Sequence, residues 1–180
     1  MTMAMRWALL YALALIALAG CAQLETRPTE KVEFDLAGRI AARFGDESFT
    51  GNIAWRHAGD LDEMLLTSPL GAGVARIVRE GDKVILTTAE PREYRAEDAE
   101  SLTEQVLGFR LPLGGLADWV RGRPSPESAA RAEHSPDGRL LSLEQRGWKI
   151  VYQDYAGALP SRLRLVYPGI ELRLAITQWK

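Results

Sequence analysis

From Phe34 onward, apolar and polar residues alternate with period two. Phe34, Leu36, Gly38, Ile40, Ala42 and Phe44 interleave with Asp35, Ala37, Arg39, Ala41 and Arg43. After Gly45-Asp46-Glu47, residues Phe49, Gly51, Ile53, Trp55 and His57 interleave with Ser48, Thr50, Asn52, Ala54 and Arg56. Gly59-Asp60 marks a turn, and residues 61–68 and 74–79 are further strand candidates. Gly81-Asp82 turns the chain into Lys83–Thr88. Alternation returns at Leu140–Gln145, at Trp148, Ile150 and Tyr152, and at Leu163, Leu165 and Tyr167. Pro168-Gly169 then leads into Ile170, Leu172, Leu174 and Ile176. Half-buried antiparallel strands joined by short turns give this pattern, because successive side chains point to opposite faces of a sheet.

The middle of the chain changes period. Ala96–Leu107 places Ala99, Leu102 and Val106 on one helical stripe, with acidic residues in the first turn and Gly108 at the expected stop. Leu113–Val120 places Leu113, Leu116, Trp119 and Val120 on one side of a second helix. Residues 124–138, rich in Pro, Ser, Ala and Glu, read as a surface excursion. About ten strands with two or three helices between two strand blocks predict a strongly curled sheet or open barrel, with the helices covering one face.

Composition narrows the classes. With 47% hydrophobic and 26% charged residues and a net charge of -2, the 180-residue chain is an ordinary globular one. The charge balance gives no support for nucleic-acid binding. One cysteine and two histidines cannot build a Cys/His zinc cluster, so neither a metal nor a cofactor is expected.

The lone cysteine has a special setting. Arg6 is the only charge before it, and Trp7–Ala19 is an unbroken run of 13 apolar or aromatic residues. The run is too short for a bilayer span of about 20 residues and fits a signal-peptide core. It ends in Leu18-Ala19-Gly20-Cys21, which resembles the lipobox of bacterial lipoproteins. That resemblance implies cleavage before Cys21 and acylation of it, and Ala22 after it implies sorting to the outer membrane. The organisation expected is a lipoprotein signal peptide over 1–20, a lipid-anchored tether over 21–32, and one domain over 33–180. Ten extended tether residues reach about 35 Å, enough to work near a membrane surface.

Catalytic chemistry is sparse. There is no Gly-x-Ser-x-Gly elbow, no phosphate-cradling glycine loop and no His-x-x-x-His pair. His57 continues the Ile53/Trp55 face at a strand end and reads as a rim histidine; His134 falls in the surface excursion. Asp62 and Glu63 are strand neighbours facing opposite ways, and Glu97 and Asp98 read as helix N-terminal charges. No catalytic residue is assigned and the chain is not read as an enzyme. Arg162, Arg164 and Arg173 fit one polar sheet face, ordinarily a solvated one; an acidic partner surface is the sharper alternative.

One segment points to a job. Leu65-Leu66-Thr67-Ser68-Pro69-Leu70-Gly71 sets a large apolar residue between a proline and a glycine in a strand connection. By composition, Leu70 either stands at the loop tip or, the commoner arrangement, folds back to staple the hairpin to the core.

The chain resembles the LolB family of outer-membrane lipoprotein receptors. The resemblance runs from about Phe34 to Trp179. It is carried by Gly38-Arg-Ile-Ala-Ala-Arg43, Gly51-Asn-Ile-Ala-Trp55, Leu65 to Gly71, Tyr94-Arg-Ala-Glu-Asp-Ala-Glu100, Leu111-Pro-Leu113 with Trp119-Val-Arg-Gly122, and Gln145-Arg-Gly-Trp-Lys-Ile-Val-Tyr152. It implies a mainly β fold: an unclosed antiparallel β-barrel of about ten or eleven strands, covered by helices and enclosing an apolar cavity. It implies a monomer that accepts acylated lipoproteins from the periplasmic carrier LolA and inserts them into outer-membrane lipid without nucleotide energy. The family's protruding loop leucine maps onto Leu70, flanked by Pro69 and Gly71, and favours the exposed arrangement. Trp55, Trp119 and Trp148 are the candidates for the acyl cavity, with structural core an equal alternative. The competing readings are a structural or assembly lipoprotein, a small-lipid carrier, and a lipid-modifying enzyme.

Overall fold

The computed structural model describes residues 31–89, 93–96, 98–107 and 111–180. Cys21, the leader, most of the tether, Glu97 and Gly108 lie outside the described residues. The eleven strands are β1 (Phe34–Phe44), β2 (Glu47–Ala58), β3 (Leu61–Thr67), β4 (Gly73–Glu80), β5 (Lys83–Thr88), β6 (Glu93–Ala96), β7 (Ala130–His134), β8 (Leu140–Gln145), β9 (Trp148–Ala156), β10 (Leu159–Tyr167) and β11 (Ile170–Trp179). Two helices, α1 (Ala99–Leu107) and α2 (Leu113–Val120), fall between β6 and β7.

All strands form one antiparallel sheet in the order β6-β5-β4-β3-β2-β1-β11-β10-β9-β8-β7. The first and last strand blocks meet where β1 pairs with β11, while β6 and β7 remain unpaired edges, so the barrel does not close. All eleven strands and the described core belong to the unit Lys31–Lys180, a sheet with a hydrophobic core of its own.

The alternation sorts side chains between the two faces of the curled sheet. On the concave face, Leu36, Trp55, Met64, Ile77, Leu86 and Tyr94 form a continuous cross-strand row from β1 to β6. All but Tyr94 are buried. Leu163, Leu165, Ile150, Leu143 and Trp148 continue the core on the other block. Cross-strand contacts of this kind are the unit of sheet stabilisation.

Helix α2 matches its expected bounds and fills the concave side, burying Leu113, Leu116, Trp119 and Val120. Helix α1 begins three residues later than expected. Its start is set by Asp98, whose carboxylate accepts the Ser101 N–H at 2.7 Å and the Ser101 hydroxyl at 2.6 Å, a side-chain N-cap.

Two strands were not legible. Glu93–Ala96 forms β6, and the excursion 124–138 contains β7, whose five residues are all exposed. β7 has no buried face and so shows no apolar alternation, while β6, with Tyr94 and Ala96 half-covered, is only four residues long, too short to show a period.

Candidate functional site: a loop leucine, an apolar groove and a helix plug

The β3–β4 connection is a tight hairpin. Gly71 donates its N–H to Ser68 O (2.9 Å), Ser68 donates to Ala72 O (2.7 Å), and the Ser68 hydroxyl accepts from the Ala72 N–H (3.2 Å). Gly71 has φ +88°, a left-handed conformation that glycine adopts at least cost, while Pro69 and Leu70 keep negative φ. Asn52 of β2 ties the base down, donating to Ser68 O at 3.0 Å and to Thr67 Oγ1 at 3.3 Å. Leu70 is left 99% exposed at the tip. It does not fold back onto the core: the turn's own hydrogen bonds set its direction.

The same end of the concave face is apolar and only half covered. β1 and β3 run in the same direction, so the loop leaves the sheet at the Phe44 end of β1. Burial along the concave face of β1 is graded. Phe34 and Leu36 are fully buried, whereas Ile40, Ala42 and Phe44 are only partly covered. Phe49, Leu66 and Ala75 on the neighbouring strands are likewise half-buried. Gly51 lies within this face, opposite Ile40. A Cβ there would lie 2.2 Å from Thr67 O and 2.6 Å from Cζ of Phe49, so only glycine lets the Phe49 ring lie across it.

At the opposite end, α2 plugs the barrel through polar links. Trp119 donates its indole N–H to Oε1 of Gln145 at 2.7 Å, and the Trp119 carbonyl accepts from the Tyr152 hydroxyl at 2.9 Å. Burial raises the Tyr152 phenol above its ordinary range and keeps it a donor. Gln145 Oε1 also accepts the Ser125 N–H, and its amide donates to the Ser125 and Ser128 carbonyls. Arg121 at the helix end pairs with Glu33 and Asp118, donates to Ala117 O, and lies 5.4 Å from the Phe34 ring centre.

Below α2 sits a buried charge. Asp62, fully buried, accepts from Trp55 Nε1 and His57 Nδ1 on Oδ1, both at 2.8 Å, and from Arg79 on Oδ2 at 2.6 Å. Burial by itself would raise its pKa. The His57 hydrogen bond, the Arg79 charge and the Trp55 hydrogen bond outweigh burial and hold the carboxyl below the ordinary aspartate value. His57, expected at a rim, is 5% exposed and stacks on Phe34 at 5.0 Å. A cleft of about 480 Å³ above this network is walled by Glu33, His57, Asp60, Arg79, Asp118 and Arg121. Those charges suit it poorly to an acyl chain.

The three candidate tryptophans do not share one place. Trp55 bonds to Asp62 under the plug, whereas Trp119 and Trp148 pack together with ring centres 6.3 Å apart. All three are buried in the core. Sequence reasoning missed Gln145 and Asp62. A polar residue at a concave-face position was the available signal: Asp62 stands opposite His57 and Arg79, and Gln145 opposite Trp148 and Ala130.

Residues 32–179 match the family described as outer membrane lipoprotein LolB. The chain belongs to the LolB family. An outer-membrane lipoprotein LolB from Nitrosomonas europaea is 42% identical over 153 residues, covering 82% of this chain and 72% of that protein. One from Thiobacillus denitrificans is 40% identical over 171 residues, covering 91% and 92%. Among solved structures, a DUF1329 family protein from Desulfovibrio piger superposes with a TM-score of 0.50 at 11% identity, covering 84% of this chain and 86% of that one. A LolA superfamily protein from Nitrosomonas europaea gives 0.45 at 13% identity, covering 87% and 88%. LolB membership makes the chain an outer-membrane lipoprotein of the lipoprotein-localisation machinery.

Proposed function

We propose that this domain receives acylated lipoproteins from the soluble carrier LolA, holds their acyl chains against its concave apolar face, and releases them into outer-membrane lipid. Acylated Cys21 anchors the domain, residues 21–32 tether it, and residues 33–180 do the work. The observation that carries this reading is the pairing of a fully exposed Leu70 with half-covered apolar residues on the concave face at the same end of the barrel. A protein that only bridged other proteins would have no use for either.

The physics explains why a receptor is needed. Each CH₂ exposed to water costs about 0.8 kcal/mol, so several acyl chains cost tens. Cargo therefore cannot be released and recaptured; it must slide between apolar surfaces in contact. With no phosphate-cradling loop, each transfer runs on a difference in affinity. The groove supplies such a gradient. Ile40, Ala42, Phe44, Phe49 and Leu66 are half-covered and gain burial when a chain lies on them, while the polar-linked α2 closes the far end. Leu70 contributes about 2 kcal/mol when buried in lipid. That is too little to anchor the domain but enough to seat the loop among acyl chains.

The test uses the unlipidated unit Lys31–Lys180 mixed with a carrier–lipoprotein complex. Cargo is expected to move to the domain. Cargo that stays on the carrier at excess domain contradicts the proposal.

A further inference from the structure

We propose that the convex face of β1, β11 and β10 is a docking surface for anionic phospholipid headgroups, set beside the Leu70 loop. This rests on the receptor reading for its purpose but not for its geometry.

The register gathers the charges. Arg39 and Arg162 flank Ala175, each its direct cross-strand partner. Arg164 and Arg173 lie directly opposite one another, and Arg43 lies opposite Glu171. From Arg39 to the strand ends, this face carries five arginines and one acid. Glu171 serves two of them, accepting from Arg164 at 2.8 Å and pairing with Arg173. Arg39, Arg43 and Arg162 have no ion pair among the described residues, and all three are exposed. Like charges directly opposite in a sheet oppose folding. A chain of net charge -2 nevertheless concentrates guanidinium groups here.

The position selects the partner. Asn52 is the cross-strand partner of both Arg39 and Thr67, so the Leu70 loop starts about 10 Å from Arg39, two strand spacings away. Both strands run toward the same edge, so Arg43 and Leu70 advance together. The remaining outward side chains of these strands over this stretch are Ala41, Val166 and Ala175, with no aromatic residue to anchor a protein partner. Guanidinium groups spread over a face with an apolar finger at its border match a surface of phosphates over hydrocarbon. An acidic protein offers no hydrocarbon for Leu70.

The experiment measures co-sedimentation of the unlipidated unit with vesicles of phosphatidylglycerol and phosphatidylethanolamine, and with vesicles of phosphatidylcholine and phosphatidylethanolamine. No carrier or cargo is present, so the outcome is independent of the transfer assay. Wild-type protein should prefer the anionic vesicles and lose that preference in high salt, a measurement that needs no variant. Each arginine near an anionic surface is worth about a fivefold change. Arg39→Gln with Arg43→Gln should therefore weaken binding about 25-fold with an unchanged melting temperature, and Glu171→Gln should strengthen it. Equal binding to both vesicle types overturns the proposal. So does a double variant that binds anionic vesicles normally but no longer takes cargo from the carrier, which would assign the face to a protein.

Discussion

Trp119 on α2 donates its indole N–H to Oε1 of Gln145 on β8, 2.7 Å away and wholly buried. This bond joins the helix plug to the second strand block. Gln145 sits in the last position before the Arg146-Gly147 turn, both residues of which have positive φ (51° and 80°), the two-residue geometry that matches sheet twist. Its amide uses both ends, with two bonds accepted and two donated. Gln145→Leu removes all four and strands buried donors and acceptors, each costing about 1–3 kcal/mol. The expected loss is about 3 kcal/mol or more in urea unfolding. A variant as stable as wild type would show that α2 is held by packing alone.

The Asp62 network predicts a pH dependence. Its carboxyl titrates lower in the folded protein than in the unfolded chain, whose ordinary value is 3.8. A depressed folded-state value stabilises the fold above the unfolded value, and the stabilisation is lost as pH falls through the folded one. Wild-type stability should therefore decline below about pH 4. Asp62→Asn leaves Arg79 and His57 without their anion and should cost about 3 kcal/mol at pH 7. Its stability should also vary less with acidification. Parallel pH profiles for the two proteins in chemical denaturation would contradict this account.

Much of the fold was legible because each of β1 to β5 and of β8 to β11 has one face in the core. Phe34 to Phe44 alternates without a break, and the structure makes it one strand of those bounds. The helix over Leu113–Val120 was legible from its apolar spacing, and the structure buries every residue of it but Gly114. β7 was hidden because all its residues are exposed, and β6 because its four residues are too few to show a period. The Leu70 loop was readable as a turn, but its direction was not. Exposure is decided by hydrogen bonds from Ser68 and Asn52 that no apolar pattern encodes. The arginine face needed the register, which alone brings Arg39 and Arg43 beside Arg162, Arg164 and Arg173.

The groove predicts a separation between uptake and stability. Leu66 is half-buried on the concave face, whereas Leu36 is fully buried. Leu66→Ser should weaken acyl-chain binding by about tenfold, the equivalent of part of one apolar side chain, with little change in melting temperature. Leu36→Ala should do the reverse, costing about 2–5 kcal/mol of stability. A fluorescent fatty-acid analogue, titrated against both variants, reads the difference. Equal binding by wild type and Leu66→Ser would remove the groove from the account.

Trp119 of α2 packs against Trp148 of β9. An acyl chain deep enough to displace α2 should change their environment, so cargo binding should shift intrinsic tryptophan emission. An unchanged spectrum at saturating cargo would confine the acyl chains to the groove beyond the plug.

The central claim is tested most directly by following one lipoprotein through uptake and insertion with Leu70→Glu. A charge at a fully exposed tip touches no core residue and should leave folding intact. Uptake from the carrier should equal that of wild type, while delivery to liposomes should fall to background. Wild-type delivery by Leu70→Glu would contradict the role assigned to the loop.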